Sequence, residues 1–267
     1  MRRHIEYFFA FARIVILSQI QYRVANYFYM IGMITEPVIY LVVWSTIAEQ
    51  QGGEVGGYTA GMFAAYYIVW TLVRNMNIVF TPFGWENRIR EGELSMELMR
   101  PIHPIFSDIA GFSGWKVVVI ILWLPLAVFL TWVFKPTLDF TWLEALVFFI
   151  AIWGAYLIRT MLLSLLGMIT FWTTRVSAIF ELYFGFELIL SGRLVPMALM
   201  PQWVQNISNY LPFKWTFFFP IDALVGNMST RELWTGIGMQ IFWITLGASL
   251  LNLVWRAAIK QFSAVGG

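Results

Sequence analysis

Cysteine is absent from this 267-residue chain, and histidine occurs only twice. Without thiols the protein can form no disulfide, no thiolate nucleophile and no cysteine-based metal site. His4 and His103 are the only imidazoles, too few for a zinc site built on histidine. The sequence therefore predicts a chain with no metal site and no bound cofactor of its own.

Charged residues are also scarce. They make up 12% of the chain, against about 25% in a soluble domain, while 60% of the residues are hydrophobic and the mean hydropathy is +0.71. A formal net charge of +2 is too small to indicate a nucleic-acid partner. The composition excludes an ordinary water-facing surface and predicts a protein that contacts membrane lipid.

A phosphate-binding loop of the form GxxxxGK[ST] is missing as well, so the chain is not expected to bind ATP in that manner. Asp108, Asp139 and Asp222 are scattered along the sequence. No cluster of His, Asp and Glu suits acid–base catalysis. These absences count against an enzyme.

Long apolar blocks are what the sequence does contain. A helix needs roughly 20 mostly apolar residues to cross a bilayer. Six blocks are predicted to cross, at about 25–48, 58–80, 111–134, 142–172, 176–192 and 233–259. We expect an all-α membrane protein with one transmembrane domain over 25–267. The preceding segment, 1–24, is too charged to span and is predicted to form an amphipathic helix in the membrane interface.

The fifth block is short, and proline interrupts the chain after it. Its uninterrupted apolar part is only about 15 residues long, fewer than a full crossing needs. Pro196, Pro201 and Pro212 then divide the following segment into pieces too short to span. Irregular backbone at membrane depth survives only where protein or water covers it. We therefore predict a broken or re-entrant hairpin over 194–221, before the last span.

The most polar stretch of the chain lies at 81–110, which we call the polar loop. It cannot sit in lipid. A short helix from Trp85 to Glu91 is predicted to break at Gly92, and a second turn to stop at Pro101. By composition alone this is an ordinary solvated loop, but it is the only connection on its side large enough to form a docking surface.

Lysine and arginine are distributed unevenly between the two sets of connecting segments. The cytoplasmic segments of membrane proteins carry the excess of these residues. One set holds Arg2, Arg3, Arg13, Arg23, Arg88, Arg90, Arg100, Lys116, Arg175, Arg256 and Lys260, and the other holds Lys135, Arg193, Lys214 and Arg231. This asymmetry predicts that both termini and the polar loop lie in the cytoplasm.

Five of the charged residues in the predicted spans are candidates for a paired or functional role, because a charge within a span costs several kcal/mol unless it faces protein or water. They are Glu36, Arg74, Arg159, Glu181 and Glu187. Glu36 is expected to pair with Arg74 or Arg159. Glu181 and Glu187 are six positions apart, about 120° from alignment on a helix, so they cannot both face lipid cheaply.

Either carboxylate of the fifth block could be buried against another helix or could line a path for a cationic substrate. Aromatic residues, including Tyr183, surround them and would also attract a cation. The candidate substrate path therefore comprises Glu36, Glu181, Tyr183 and Glu187.

Two stretches carry a resemblance to a known family: EGELSMELMRPIHPI after the second span, and SGRLVPMALMPQWVQNISNYLPF after the fifth. With the order of the spans, they resemble the permease subunits of type-2 ABC transporters. The likeness covers nearly the whole chain. It is greatest to the short bacterial permeases without a large extracellular domain.

The resemblance implies a plasma-membrane exporter subunit that works as a homodimer or as a paralogous heterodimer. Separate ATPase subunits would bind ATP and Mg²⁺. The coupling helix would hold Phe83, Trp85, Arg88, Ile89, Arg90 and Glu91, and the outer gate would contain Pro196, Pro201 and Pro212. An importer would be expected to carry a Gly-containing EAA-type loop late in the chain, and none is found.

Two alternatives from other classes stay open. A secondary transporter would work without ATPase partners and often shows broken helices at matching places in two related halves. Only one broken region occurs in this sequence. A membrane-embedded lipid-modifying enzyme would need a polar catalytic cluster, which the scattered acidic residues do not provide.

Overall fold

The computed structural model describes residues 2–173, 176–226 and 228–262. Arg175, counted among the basic residues above, lies outside the described residues. About 80% of the chain is helical, and the all-helical class is confirmed. Within the described ranges the strands are limited to one antiparallel hairpin of two-residue strands, β1 (Glu54–Val55) and β2 (Tyr58–Thr59).

Eleven α-helices are present in the described residues. They are α1 (Arg2–Gln21), α2 (Arg23–Gln50), α3 (Ala60–Met76), α4 (Pro82–Arg90), α5 (Glu93–Leu98), α6 (Pro104–Phe134), α7 (Trp142–Met168), α8 (Ser177–Leu190), α9 (Gln202–Tyr210), α10 (Phe218–Val225) and α11 (Thr230–Ala258). Three single 3₁₀ turns lie at Ile169–Phe171, Met197–Leu199 and Phe213–Trp215.

Four helices are long and apolar enough to cross a membrane: α2, α6, α7 (extended to Phe171) and α11. Each has at least 28 residues, about 42 Å at a rise of 1.5 Å per residue, which exceeds a hydrocarbon core of about 30 Å. The sequence placed the start of α6 at 111, but it begins at Pro104. Proline at the first helical position needs no N–H partner, and His103 Nδ1 accepts a hydrogen bond from the Ile105 N–H.

The other two predicted spans form shorter helices. α3 has 17 residues and α8 has 14, about 26 Å and 21 Å in length. α3 is buried along nearly its whole length because α2, α6 and α10 pack around it. The requirement of roughly 20 apolar residues applies to a helix in contact with lipid. A helix that is enclosed by protein can be shorter.

The N-terminal helix α1 packs along α6. At the point of closest approach, a Cβ atom on Gly114 would lie 2.4 Å from the carbonyl oxygen of Ala12, so only glycine fits there. The opposite side of α1 exposes Phe9, Ile14 and Leu17, each about 60% accessible or more. This helix therefore combines a fixed attachment to the bundle with an apolar outer surface, as an interfacial helix requires.

The segment after α8 is divided by proline as predicted. Pro196 and Pro201 directly precede the 3₁₀ turn Met197–Leu199 and helix α9, and Pro212 directly precedes the turn Phe213–Trp215. Pro37 and Pro125 lie inside the long helices α2 and α6, but each of these three prolines directly precedes a new turn or helix, where its fixed φ is favourable. The result is a chain of pieces of three to nine residues, followed by α10.

Candidate functional site

The polar loop folds into two short helices. Thr81 caps α4 by accepting a hydrogen bond from the Gly84 N–H, and α4 ends before Gly92. Gly92 has φ +77°, a left-handed conformation that favours glycine, and it forms the N-cap of α5. The predicted break at this glycine is confirmed.

Trp85 holds α4 against the bundle. Its ring is fully buried and lies 6.3 Å, between centroids, from the Trp255 ring on α11. A Cβ atom on Gly167 of α7 would lie 2.5 Å from the Trp85 Cβ, so glycine is what allows α4 to approach α7. The resemblance placed this tryptophan in the coupling helix, where it would contact the ATPase. It faces the protein core instead, because Gly167 and Trp255 provide a matching cavity.

Arg88 locks the loop to α6. Its Nη1 and Nη2 donate to the two Asp108 oxygens at 3.0 and 2.9 Å, a bidentate pair, and its Nε lies 3.4 Å from Glu97 Oε2. The Arg88 side chain is only 7% exposed. Like Trp85, Arg88 points inward rather than towards a partner. Burial raises the pKa of Glu97 above its usual range, and the neighbouring Arg88 opposes that shift.

The outward face of the loop is formed by other residues. Phe83 and Ile89 are half-buried, and the Phe83 ring stands edge-on to Phe180 of α8 at 4.9 Å. The remaining candidate coupling residues, Arg90 and Glu91, are exposed. Two methionines that sequence reasoning did not single out extend this face, with Met96 61% and Met99 80% accessible.

Glu36 on α2 binds two arginines. Of its two candidate partners the structure selects Arg74, which donates through Nη1 to Glu36 Oε2. Arg193 Nη2 lies 3.4 Å from the same oxygen. Sequence reasoning had placed Arg193 in an outer connection, and no local pattern linked it to Glu36. Two guanidinium groups thus share one carboxylate between α2, α3 and the end of α8.

Arg159 on α7 and Glu187 on α8 form a second buried pair. Arg159 Nε and Nη2 donate to the two carboxylate oxygens of Glu187 at 2.8 and 2.9 Å, and Arg159 also donates to the Asn77 carbonyl. The Glu187 side chain is 1% exposed. Tyr183, one turn earlier, is half-buried. Glu187 is therefore engaged with another helix.

Glu181 lies about 120° around α8 from Glu187. It is exposed, on a stripe with Leu182, Phe186 and Ile189, which are 43–62% accessible. In the described part of the chain no basic residue lies within ion-pair distance of it. The structure thus separates the two carboxylates of α8 into one buried and one unpaired group.

Lys116 was counted as a loop charge from the sequence, and this was wrong. It lies within α6, is fully buried, and donates to the carbonyls of Asn75 and Ile78 at the C-terminal end of α3. A cation is favoured there because the carbonyl groups at a helix end carry partial negative charge. Its removal from the count leaves the sign of the charge asymmetry unchanged.

Three tyrosines of β2 and the first turns of α3 hold the two ends of the proline-divided segment, 194–221. Tyr66 donates to the Gly192 carbonyl at 2.9 Å and Tyr67 to the Leu194 carbonyl at 3.2 Å. Tyr58 donates to Asp222 on α10 at 3.1 Å. The prolines at 196, 201 and 212 therefore lie in a segment attached to the bundle at several points.

Comparison with known proteins identifies a family. No curated protein matches the chain. A family model described as an ABC-2 family transporter protein matches residues 33–266, which includes the polar loop, both buried ion pairs and the proline-divided segment. This multi-pass membrane protein therefore belongs to the ABC-2 family of transporter membrane components.

Proposed function

We propose that this chain is the permease subunit of an ATP-driven exporter and that separate ATPase subunits bind the ATP and Mg²⁺. The observation that carries the proposal is the anchoring of the polar loop. Trp85 fixes it to α7 and α11, and Arg88 fixes it to α6, while its outer face stays exposed. A push on that face is transmitted to three long helices through close-packed contacts.

The contact with the ATPase is assigned to the exposed side of the loop. Arg90 and Glu91 supply charge, and Met96 and Met99 supply an adaptable apolar surface. Phe83, Trp85, Arg88 and Ile89 act from behind this surface by holding α4 in place. Membership of the ABC-2 family supports a separate ATPase, because its permeases typically lack ATPase activity.

Six crossings are proposed in the plasma membrane of a bacterium. α2, α6, α7 and α11 cross at full length, and α3 and α8 are the two shorter crossings. The protein around α3 supports a helix shorter than the bilayer. The excess of basic residues on the side of the polar loop supports cytoplasmic termini. The proline-divided segment then lies at the outer surface and forms the gate.

A dimer, homomeric or with a paralogue, is the proposed working unit. α8 presents its stripe of Leu182, Phe186 and Ile189, and only about 17% of the apolar window of α2 is buried within one chain. Glu181, which has no basic partner among the described residues, lies on the same exposed side of α8. A second copy covering these faces would enclose a path between the two permeases.

The substrate is proposed to be a hydrophobic or cationic small molecule. Glu36 and Glu187 are neutralised by arginines, so among the candidate path residues Glu181 supplies the free negative charge. On the same helix, Phe186 is exposed five residues after Glu181, and Tyr183 is half-buried. The faces of such aromatic rings attract cations.

Cysteine labelling tests the orientation on which the coupling role depends. Single cysteines at Gln51 and Gln202, both exposed, are expected to react with an impermeant maleimide added outside intact cells. A cysteine at Met96 is expected to react only after the membrane is opened. The natural chain contains no cysteine, so background labelling is zero. Labelling of Met96→Cys in intact cells would place the polar loop away from cytoplasmic ATP and contradict the proposed function.

A further inference from the structure

A partly open cavity of about 610 Å³ lies between α1, the start of α2, α6 and the polar loop. No residue of the candidate substrate path lines it. Its volume is within the range of about 300–1,000 Å³ that is typical of small-molecule sites. The lining combines charged groups from the loop with apolar groups from α1 and α6, so the cavity is amphipathic.

The polar end of the cavity is lined by two basic and two acidic residues, Arg88, Glu97, Arg100 and Asp108. Asp108 and Arg88 neutralise each other through the bidentate pair described above. Glu97 Oε2 is buried and lies 3.4 Å from Arg88 Nε without a hydrogen bond among the described residues, while the Glu97 side chain as a whole is 28% exposed. Arg100 is exposed, with no acidic group within 4 Å in the described ranges. The four charges sum to zero, so a ligand carrying both signs is favoured over an anion or a cation.

The apolar end is displaced along α6 towards the bilayer. Phe112 and Trp115 line the cavity four and seven residues beyond Asp108, about 6 and 10 Å along the helix. Phe11 and Val15 of α1 form the facing wall. The sequence predicts that α1 lies in the membrane interface, and its exposed apolar residues agree with that level. The two ends are therefore arranged like the headgroup and the first chain carbons of a lipid.

We propose that this cavity binds a zwitterionic phospholipid with a primary ammonium headgroup, with its phosphate at Arg100, its ammonium at Glu97 and the start of an acyl chain against Phe112 and Trp115. The volume accommodates the headgroup and the upper chain, and the remaining chain carbons extend into the bilayer. The primary ammonium group is specified because it has N–H donors for the partly exposed Glu97 carboxylate. This site goes beyond the proposed function, because lipid binding needs neither an ATPase nor transport.

Binding is tested with the purified full-length protein in detergent, by titration with short-chain lipids and mass spectrometry of the intact complexes. Dihexanoyl phosphatidylethanolamine is expected to bind about tenfold more tightly than dihexanoyl phosphatidylcholine, the equivalent of one hydrogen bond to a charged group. The choline headgroup keeps the charge but has no N–H. Equal affinities for the two lipids would overturn the proposal. This test needs only the wild-type protein.

Two substitutions locate the contacts. Glu97→Gln is expected to remove the preference for ethanolamine over choline, and Arg100→Gln to weaken both lipids by a similar factor. Glu93→Gln, an exposed acid on the same short helix, is the matched control and is expected to change neither. Retention of the preference in Glu97→Gln would overturn the assignment of the ammonium. Free phosphoethanolamine is expected to bind at least tenfold more weakly than the lipid, and equal binding would show a soluble ligand instead.

Discussion

Replacement of Glu187 with Gln is expected to destabilise the protein by about 3–5 kcal/mol, because it leaves Arg159 as an uncompensated charge between α7 and α8. The Glu187 side chain is 1% exposed and accepts two hydrogen bonds from that guanidinium. Glutamine has nearly the same shape as glutamate but carries no charge, so the loss of stability measures the effect of breaking the ion pair. The unfolding midpoint in one detergent, followed by tryptophan fluorescence, is the measurement.

Glu181→Gln is the matched control on the same helix. Glu181 is exposed and has no basic partner in the described residues, so its replacement is expected to leave the midpoint within about 0.5 kcal/mol of the wild type. Equal destabilisation by the two variants would contradict the separation of the two carboxylates.

If resistance to a cationic compound depends on this protein, Glu181→Gln is expected to reduce that resistance. Full resistance in that variant would remove the argument for a cationic substrate.

Trp85→Ala is expected to destabilise the protein by about 3–5 kcal/mol, the usual result of removing a fully buried large aromatic side chain. The cavity would open between α4, Gly167 and Trp255, and the polar loop would detach from α7 and α11. Unfolding of the variant in detergent measures the loss. An unfolding midpoint close to that of the wild type would show that Trp85 is not the anchor of the loop.

The charge-reversed double variant Arg90→Glu with Glu91→Lys is the counterpart to Trp85→Ala on the outer face. Both residues are exposed, so stability is expected to stay near that of the wild type. Association with the ATPase is expected to fall, because rim charges control encounter and register at an interface. Normal association in this folded variant would place the docking surface elsewhere.

Hydropathy and proline placement could be read from the sequence because both act locally. The four long helices follow from apolar length, and the break at Gly92 follows from a conformation that glycine adopts most readily. The pieces after α8 begin directly after Pro196, Pro201 and Pro212, although Pro37 and Pro125 lie inside α2 and α6 without ending them. None of these features depends on which helices are neighbours.

The orientation of individual side chains depended on tertiary contacts and could not be predicted. Trp85 is buried because Gly167 leaves room for it on a helix about 80 residues later in the chain. Lys116 is buried because α3 ends beside it, and Arg193 reaches Glu36 from 157 positions away. A single sequence contains no periodic signal for such pairings.

The most direct test of the central claim is ATP hydrolysis in lipid nanodiscs that contain this chain and the ATPase subunit proposed above. The permease alone is expected to hydrolyse no ATP. In the assembled complex, hydrolysis is expected to require the phosphate-loop lysine of the ATPase and to fall with the Arg90→Glu, Glu91→Lys permease. The account would be contradicted if the rate of ATP hydrolysis were the same with or without the permease and its variants, and if an ion gradient drove transport without ATP.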